Sequence, residues 1–429
     1  MDLDDRQKKL AIGGIVLLLI ATVLTLYFVF FPPTPSEEAS QPTFGETSGS
    51  REGLQEDREN DRAGNTGVFS STARLRLLSE EPVAGATTLS IDRVGDAESQ
   101  EVVRYNERAT AHAFDVELED LEKERISNTT IPRIYESLWT NDGTRVILRY
   151  LDDDNQTITT YSAGLVEEEE QTEGKTPYRL EGNFLSNNIM SLVVSPDTSE
   201  IFWITKTLQE SQGTISNPDG SNSRVLFTSP FTEWLPQWYI AGALALTTKA
   251  SGYVDGFSYS MQLSTGELNR TLGDVTGLTT LTSPSGQYVL YSKGTTRTLS
   301  THLLNTETDV SSELSISTLP EKCVWESDDV LYCGVPGTLS SGVYPDIWYQ
   351  GKILFNDNLY AISPETGRAT FLYSPENQDE EIIDVYKPLV SESGEYLIFN
   401  NKHDMSLWAF TINQREELNL PSPDEVLGL

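Results

Sequence analysis

One short unit recurs along the chain, in which a turn rich in Ser, Pro, Asp and Gly stands directly before an apolar strand. Its clearest copies have their turns at residues 141–143, 195–197, 283–286 and 391–394. A second turn, built around Thr-Gly at 265–266 and 366–367, joins later strands, and its Gly allows the positive φ of a tight hairpin. Short runs of Val, Ile, Tyr, Phe and Thr lie between the turns and indicate strands. From about residue 73 the chain is therefore predicted to be all-β.

The length of the unit selects among all-β folds. Units of roughly 42–66 residues have room for two turns and about four strands each, which is the size of a propeller blade. A four-stranded sheet cannot bury both faces alone, so the units must stack around an axis and close a ring that hides their edges. The last unit has only three clear strands, and a surplus strand near residues 74–79 could complete it. We predict a β-propeller of seven four-stranded blades over residues 72–418, with six or eight blades as alternatives.

The turn-and-strand unit resembles the repeats of TolB-like, WD-repeat-like β-propeller proteins of bacterial envelopes. This resemblance covers roughly residues 73–415, although the WD dipeptide itself is absent. The family includes envelope assembly factors and the non-catalytic propellers of prolyl oligopeptidases. The resemblance therefore implies a propeller fold and a place in the cell envelope, and it leaves the activity open.

The N-terminal segment predicts a single transmembrane helix that acts as an uncleaved signal anchor. Residues 10–31 are apolar and uncharged, and as a helix they would be about 33 Å long, enough to cross a bilayer. Arg6, Lys8 and Lys9 precede this run, so residues 1–9 are expected in the cytoplasm and the propeller on the other side of the membrane. A cleaved signal peptide, whose apolar region would be shorter, is the alternative.

The flanking segments have compositions that do not support a core. Residues 32–71 are rich in Pro, Ser, Gly and acidic residues and are predicted to form a disordered acidic linker. Residues 419–429 are predicted to be an acidic tail. The whole chain carries 65 acidic and 30 basic residues, for a net charge of -35. Such a surface repels phosphate backbones, so nucleic-acid binding is not expected.

Few residues are suited to catalysis or metal binding. Three His and two Cys are too few for a zinc site built from those residues, and the Gly-x-Ser-x-Gly pentapeptide of serine hydrolases does not occur. The acidic turn at 152–155 could be a calcium loop, and a plain hairpin turn explains it equally well. We expect no catalytic residues, no metal and no cofactor.

The two Cys residues are expected to form a disulfide. Cys323 and Cys333 lie on predicted neighbouring strands, and facing residues of antiparallel strands are about 4.5–5.5 Å apart. The compartment outside the cytoplasm permits disulfides. Two separate buried thiols are the alternative.

Aromatic residues are the candidates for a binding surface. Trp234 and Trp238 enter the fourth unit, and Tyr344, Trp348 and Tyr349 lie in a long insertion of the sixth unit. Aromatic side chains held on a rigid ring could stack on a sugar or a peptide. The alternative is that they fill gaps between blades or hold the insertion in place.

These features predict a non-enzymatic scaffold of the cell envelope that binds an envelope protein, a peptide or a cell-surface glycan. The alternative is a propeller-type hydrolase or lyase that acts on an envelope or extracellular polymer. Clustered His, Arg, Glu or metal ligands would favour the enzyme, and the sequence shows no such cluster.

Overall fold

A computed structural model of the protein describes residues 73–91, 99–168 and 176–412, which all belong to one compact unit, 62–429. The predicted transmembrane helix at 10–31, with its linker and the C-terminal tail, lies outside the described residues. In the part of the chain that is described, no helix is long and apolar enough to span a membrane.

The described residues form 28 strands, which follow the chain in antiparallel sets. After β1 (Leu75–Ser79) come β2 (Val83–Ile91), β3 (Gln100–Glu107), β4 (Ala113–Glu117) and β5 (Lys123–Ser127). The next set is β6 (Ile134–Trp139), β7 (Arg145–Leu151), β8 (Ile158–Glu167) and β9 (Tyr178–Phe184). It is followed by β10 (Ile189–Val194), β11 (Ile201–Lys206), β12 (Ser211–Ser216) and β13 (Arg224–Ser229).

The second half of the chain continues the pattern. One set is β14 (Trp234–Ile240), β15 (Ala243–Thr248), β16 (Asp255–Gln262) and β17 (Leu268–Thr276). The next is β18 (Thr279–Thr282), β19 (Tyr288–Gly294), β20 (Leu299–Asn305) and β21 (Val310–Glu313). A 3-10 helix, η1 (Pro320–Lys322), leads into β22 (Cys323–Trp325), β23 (Leu331–Pro336), β24 (Asp357–Ser363) and β25 (Arg368–Tyr373). The last strands are β26 (Val385–Val390), β27 (Tyr396–Asn401) and β28 (Leu407–Thr411). Two short helices, α1 (Asp346–Tyr349) and α2 (Pro375–Asp379), lie in connections.

The repeated turn has one hydrogen bond in common among its copies. The hydroxyl of a Ser or Thr accepts a bond from the backbone N–H five residues later, where the next strand begins. The bonds are Thr140 from Arg145 at 3.1 Å, Ser195 from Glu200 at 3.0 Å, Ser283 from Tyr288 at 3.1 Å and Ser391 from Tyr396 at 3.2 Å. The side-chain hydroxyl accepts this N–H at the corner between the two strands. The turn therefore marks the end of one strand and the start of the next.

Hydrogen bonding groups the strands into five four-stranded sheets and one eight-stranded sheet. In the larger sheet, β2–β5 and β6–β9 are joined by a single parallel residue pair, Ser127 with Tyr178. The all-β propeller is as predicted, but the predicted number of seven four-stranded blades is wrong, because the structure has five four-stranded blades and the other eight strands form one continuous sheet. The sequence repeat marks where strands begin, and it carries no signal for contact between the outer strands β5 and β9.

The ends of the propeller meet in one sheet. Strand β1 pairs antiparallel with β28, with Leu75 opposite Phe410 and Arg76 opposite Ala409. The prediction that a surplus strand near residues 74–79 completes the last unit is confirmed.

The first strand of each set lies on the inside of the ring. Strand β2 contacts β6 and β26, β10 contacts β6 and β14, and β14 contacts β18. Helix η1 contacts β18, β22 and β26 and so fills the space between them. These contacts form a closed circuit around the axis, and hydrophobic clusters pack between successive sheets.

Candidate functional site

The long connection between β23 and β24, residues 337–356, forms a cap that contains α1. Asp346 of α1 accepts hydrogen bonds from the Ser251 hydroxyl at 2.9 Å and from the Gly252 N–H at 2.7 Å, both in the β15–β16 loop. The backbone N–H of Tyr344 donates to the Thr295 carbonyl, in the β19–β20 loop, at 3.2 Å. The cap is therefore fixed to two neighbouring sheets as well as to its own.

A buried ion cluster fixes the cap from below. Lys322 of η1 is 0% exposed, and its Nζ lies 2.6 Å from Asp357 Oδ2 and also bonds Asp384. Asp384 Oδ2 accepts the Trp348 indole N–H at 3.0 Å and the Phe355 backbone N–H at 3.0 Å. The carboxylate of Asp384, which directly precedes β26, is thus hydrogen-bonded to both η1 and the cap.

The two carboxylates of this cluster share one ammonium group. Burial raises the pKa of Asp357 to about 6, because the charged form loses its hydration, and Lys322 offsets only part of that effect. Asp357 Oδ2 also accepts the Val385 backbone N–H at 2.7 Å, whereas Oδ1 is buried and has no hydrogen-bond partner among the described residues.

A cavity of about 270 Å³, called here the central pocket, lies between the cap and the inner strands. Its lining residues come from β14, β15, β18, η1, α1 and the regions of β26 and β27. They are Leu235, Gln237, Thr247, Thr279, Thr280, Glu321, Trp348, Tyr349, Tyr386 and Lys402.

Acidic and aromatic groups meet on one wall of the central pocket. The Tyr349 hydroxyl donates a hydrogen bond to Glu321. Burial raises the pKa of Glu321 above its usual range. The pKa of Tyr349 is also raised well above its usual range, first by loss of hydration and then by the neighbouring Glu321 carboxylate. The Tyr386 hydroxyl has no hydrogen-bond partner within the described ranges and is free to meet a ligand.

Lys402 is the cation of the central pocket. It is half-buried, its Nζ lies 3.6 Å from the centroid of the Trp348 ring, and it donates to the Trp348 carbonyl. Burial lowers the pKa of Lys402 to about 8, and the nearby Lys322 adds to this while Asp384 opposes it. Because no carboxylate of the described residues lies within ion-pair distance of Lys402, the ammonium keeps N–H groups for a ligand.

A second ion network lies on the inner strands β6 and β26. Lys387 Nζ lies 2.9 Å from Glu136 Oε1, and Arg149 bonds the other oxygen of the same carboxylate. Burial alone would raise the pKa of Glu136, but the two cations overcome it and lower this pKa. Lys387 has the corresponding upward shift of its pKa, since Glu136 outweighs its burial.

The aromatic residues predicted to bind a ligand have different positions. Trp234 is 4% exposed and packs between two sheets, where its indole N–H donates to the Ser211 hydroxyl at 3.1 Å. Trp238 packs against the same core cluster. Both fit the gap-filling alternative, because neither side chain lines the central pocket.

The three aromatic residues of the insertion belong to the cap. Tyr344 is fully buried, and its hydroxyl donates to the Ser340 carbonyl at 2.6 Å, so it holds the cap in shape. Trp348 and Tyr349 line the central pocket. Trp348 is buried at its edge against Asp384, whereas Tyr349 is 36% exposed.

The sequence did not indicate Glu321, Tyr386 or Lys402 as site residues. None of them belongs to a motif: Glu321 is in η1, Tyr386 near the start of β26 and Lys402 just after β27. They line one pocket only because distant parts of the chain fold together. The one usable signal is the charged pair Glu321-Lys322 directly before the predicted strand that contains Cys323.

Cys323 and Cys333 are paired residues of β22 and β23. Their Cα atoms are 4.1 Å apart, and a disulfide joins them. The short inner strand that follows η1 is thus covalently tied to its neighbour, close to the central pocket.

The His residues do not meet in the structure. His112 Nε2 bonds the Thr130 hydroxyl, the His302 ring packs on a tyrosine within its sheet, and His403 Nε2 bonds the Phe355 carbonyl. Over the described residues, one set brings three possible ligand atoms within 4.8 Å, the carboxylates of Glu117, Asp120 and Glu122, and it is mostly exposed.

The acidic turn at 152–155 bonds within itself. Asp154 accepts hydrogen bonds from the Thr157 hydroxyl at 2.6 Å and from the Thr157 N–H at 2.8 Å. This geometry is that of a hairpin turn closed by its own side chain.

No family model matches the chain, and no curated protein matches it. Several solved structures are similar. An oligogalacturonate lyase from Vibrio parahaemolyticus has 9% identity and a TM-score of 0.49, over 79% of this chain and 94% of that one. A puromycin-hydrolyzing peptidase from Mycobacterium tuberculosis has 12% identity and a TM-score of 0.47, over 75% of this chain and 52% of that one. The β-propeller domain of the Trilobed protease from Pyrococcus furiosus has 9% identity and a TM-score of 0.45, over 77% and 94%. At these identities and TM-scores the likeness supports no argument about this chain, and its own sheets show the all-β propeller.

Proposed function

We propose that this chain is a membrane-anchored, extracytoplasmic propeller that binds a protein segment or a glycan in the central pocket without transforming it. The observation that carries the proposal is the rigid attachment of the cap. Hydrogen bonds to Ser251, Gly252, Thr295 and Asp384 hold it over the pocket and fix Trp348 and Tyr349 on the wall. A preformed cavity with apolar walls and a few converging polar groups is typical of a binding site.

Two finer features belong to the same proposal. Residues 10–31 are taken as the anchor and 32–71 as the tether that lets the ring search near the membrane. The resemblance to TolB-like propellers supports an envelope location and a protein or glycan partner.

A hydrolase or lyase that acts on an extracellular polymer is the second candidate. It is favoured by the shifted pKa values of Glu321 and Lys402, since acid and base groups with such shifts gather at active sites. Binding is the better-supported function, because Glu321 is already hydrogen-bonded to Tyr349 and, in the described part of the chain, no activated nucleophile stands beside Glu321 and Lys402.

Site-specific photocrosslinking in intact cells tests the proposal. A photoreactive phenylalanine analogue placed at Tyr349 should capture one main partner, identified by mass spectrometry. The matched control carries the same analogue at Val310, which is 62% exposed on the outer strand β21 and should not capture that partner.

Two results would contradict binding without turnover. One is that the analogue captures the partner equally at Tyr349 and Val310, or captures no partner at either position. The other is the release of a product when the purified chain is incubated with envelope glycans or peptides, which would favour the hydrolase or lyase.

A further inference from the structure

The central pocket offers hydrogen-bond donors at one place and apolar surface beside it. Lys402 uses one of its N–H groups on the Trp348 carbonyl, and the Tyr386 hydroxyl has no partner among the described residues. Leu235 and the Trp348 ring form the apolar part of the wall. An ammonium and a hydroxyl of residues that line the same cavity match the oxygens of a carboxylate, because charge-assisted hydrogen bonds are the stronger kind.

Most of the other polar groups of the wall are already bonded to one another. The exception is Glu321, whose Oε1 accepts the Tyr349 hydroxyl while its buried Oε2 has no hydrogen-bond partner among the described residues. Thr247 Oγ1 and Thr280 Oγ1 are 2.6 Å apart, and Gln237 bonds the Thr280 carbonyl and accepts the Thr282 N–H at 3.0 Å. A sugar ring has hydroxyls on all sides, and here most of them would lack partners. A single C-terminal residue brings an apolar side chain, one carboxylate and one backbone N–H, so fewer of its groups than of a sugar's would lack partners.

The size of the cavity agrees with a chain end. Its volume of about 270 Å³ holds about one amino-acid residue.

We infer that the central pocket binds the C-terminal carboxylate of a peptide segment, with Lys402 and Tyr386 as the donors and Leu235 and Trp348 around the terminal side chain. This inference rests on the proposed binding function and names its ligand class. It selects a peptide from the two ligand classes that the proposed function leaves open.

The test uses small probes of matched shape on the purified full-length chain. N-acetyl-leucine carries the carboxylate, N-acetyl-leucinamide replaces it with a neutral amide, and glucuronate represents an acidic sugar. Calorimetric titration should give about tenfold tighter binding of the acid than of the amide, a difference of about 1.4 kcal/mol. Glucuronate should bind more weakly than the acid.

Substitutions assign the effect to the named donors. Lys402→Met should abolish the preference for the acid, and Tyr386→Phe should reduce it a few-fold. The control Lys352→Met removes an exposed lysine of the same cap and should leave the preference intact. The preference should also decline above pH 8, where Lys402 loses its proton beside Glu321, Asp384 and Lys322.

The assignment is overturned if the acid and amide bind equally, if neither binds in the millimolar range, if glucuronate binds best, or if Lys402→Met keeps the preference. Its failure differs from a failure of the proposed function. If photocrosslinking at Tyr349 captures a partner but the small probes do not bind as expected, only the proposed ligand class is refuted. Selective binding of the acid without any captured partner removes the scaffold function alone.

Discussion

The buried cluster of Lys322, Asp357 and Asp384 predicts unequal effects for its two carboxylates. Asp384→Asn should lower the free energy of unfolding by about 3–5 kcal/mol, the usual cost of breaking a buried ion pair. The Asp384 carboxylate accepts hydrogen bonds from the Lys322 ammonium, the Trp348 indole N–H and the Phe355 backbone N–H. The side-chain amide of Asn has one acceptor oxygen and cannot accept from all three donors. Each buried donor without a partner costs about 1–3 kcal/mol.

Asp357→Asn should be milder, at about 0–2 kcal/mol, because Lys322 keeps one full carboxylate and the cluster loses its excess negative charge. The Asn oxygen can still accept the Val385 N–H that Asp357 now binds. Asp384→Asn should therefore cost at least about 1 kcal/mol more than Asp357→Asn.

The pH dependence separates the two variants further. The pKa of Asp357 is about 6 in the folded state and near 3.9 in the unfolded state, so the folded chain binds this proton more tightly. Its contribution to stability is full below pH 4 and is lost as the pH rises through 6. Between pH 7 and pH 5 the wild-type chain should gain on the order of 1 kcal/mol relative to Asp357→Asn from this group.

Urea unfolding of the purified chain, followed by Trp fluorescence at pH 5 and pH 7, measures these differences. Equal destabilisation by the two substitutions would refute the unequal roles of the carboxylates. An Asp357→Asn variant that tracks the wild-type pH dependence would show that Asp357 does not titrate in this range.

Three further predictions concern other parts of the ring. Replacing Cys323 and Cys333 together by Ala should cost about 2–3 kcal/mol, and the unreduced wild-type chain should show no alkylatable thiol by mass spectrometry. Trp234→Ala should cost about 3–5 kcal/mol in urea unfolding and leave crosslinking at the cap unchanged, because this side chain fills a gap between sheets. Lys387→Met should raise the pKa of Glu136, visible as a shifted carboxyl signal in an NMR titration, since one of its two cations is removed. Alkylatable thiols in the unreduced wild-type chain would contradict the first prediction. Loss of crosslinking in Trp234→Ala would contradict the second, and an unchanged Glu136 signal in Lys387→Met the third.

The strands could be predicted closely because local chemistry sets where they begin. The turn at 195–197 precedes an expected strand at 201–205, and the structure has Ile201–Lys206. The hydroxyl of Ser195 closes that corner within five residues, so the signal lies inside a short window of sequence. The pairing of β1 with β28 followed from counting, since one unit lacked a strand and another had one to spare.

The number of separate sheets was less accessible, because it depends on one long-range contact. Ser127 and Tyr178 pair across 51 positions of chain, and no turn or hydrophobic pattern marks them. The same limit applies to the site. Lys322 and Asp384 are 62 residues apart, and Lys402 reaches Trp348 across 54. Charged residues in loops look alike in sequence whether they face water or each other.

The aromatic residues show that lining a pocket and packing in the core are not exclusive. Trp348 does both, since its edge bonds the buried Asp384 and its face meets Lys402 in the central pocket. The pocket wall is thereby fixed by an ion cluster of the core. A ligand would then bind to a surface that is already ordered, and little conformational entropy would be lost on binding. A catalytic lid has to open and close and needs weaker attachments, so the way this cap is held is itself an argument for a binding site.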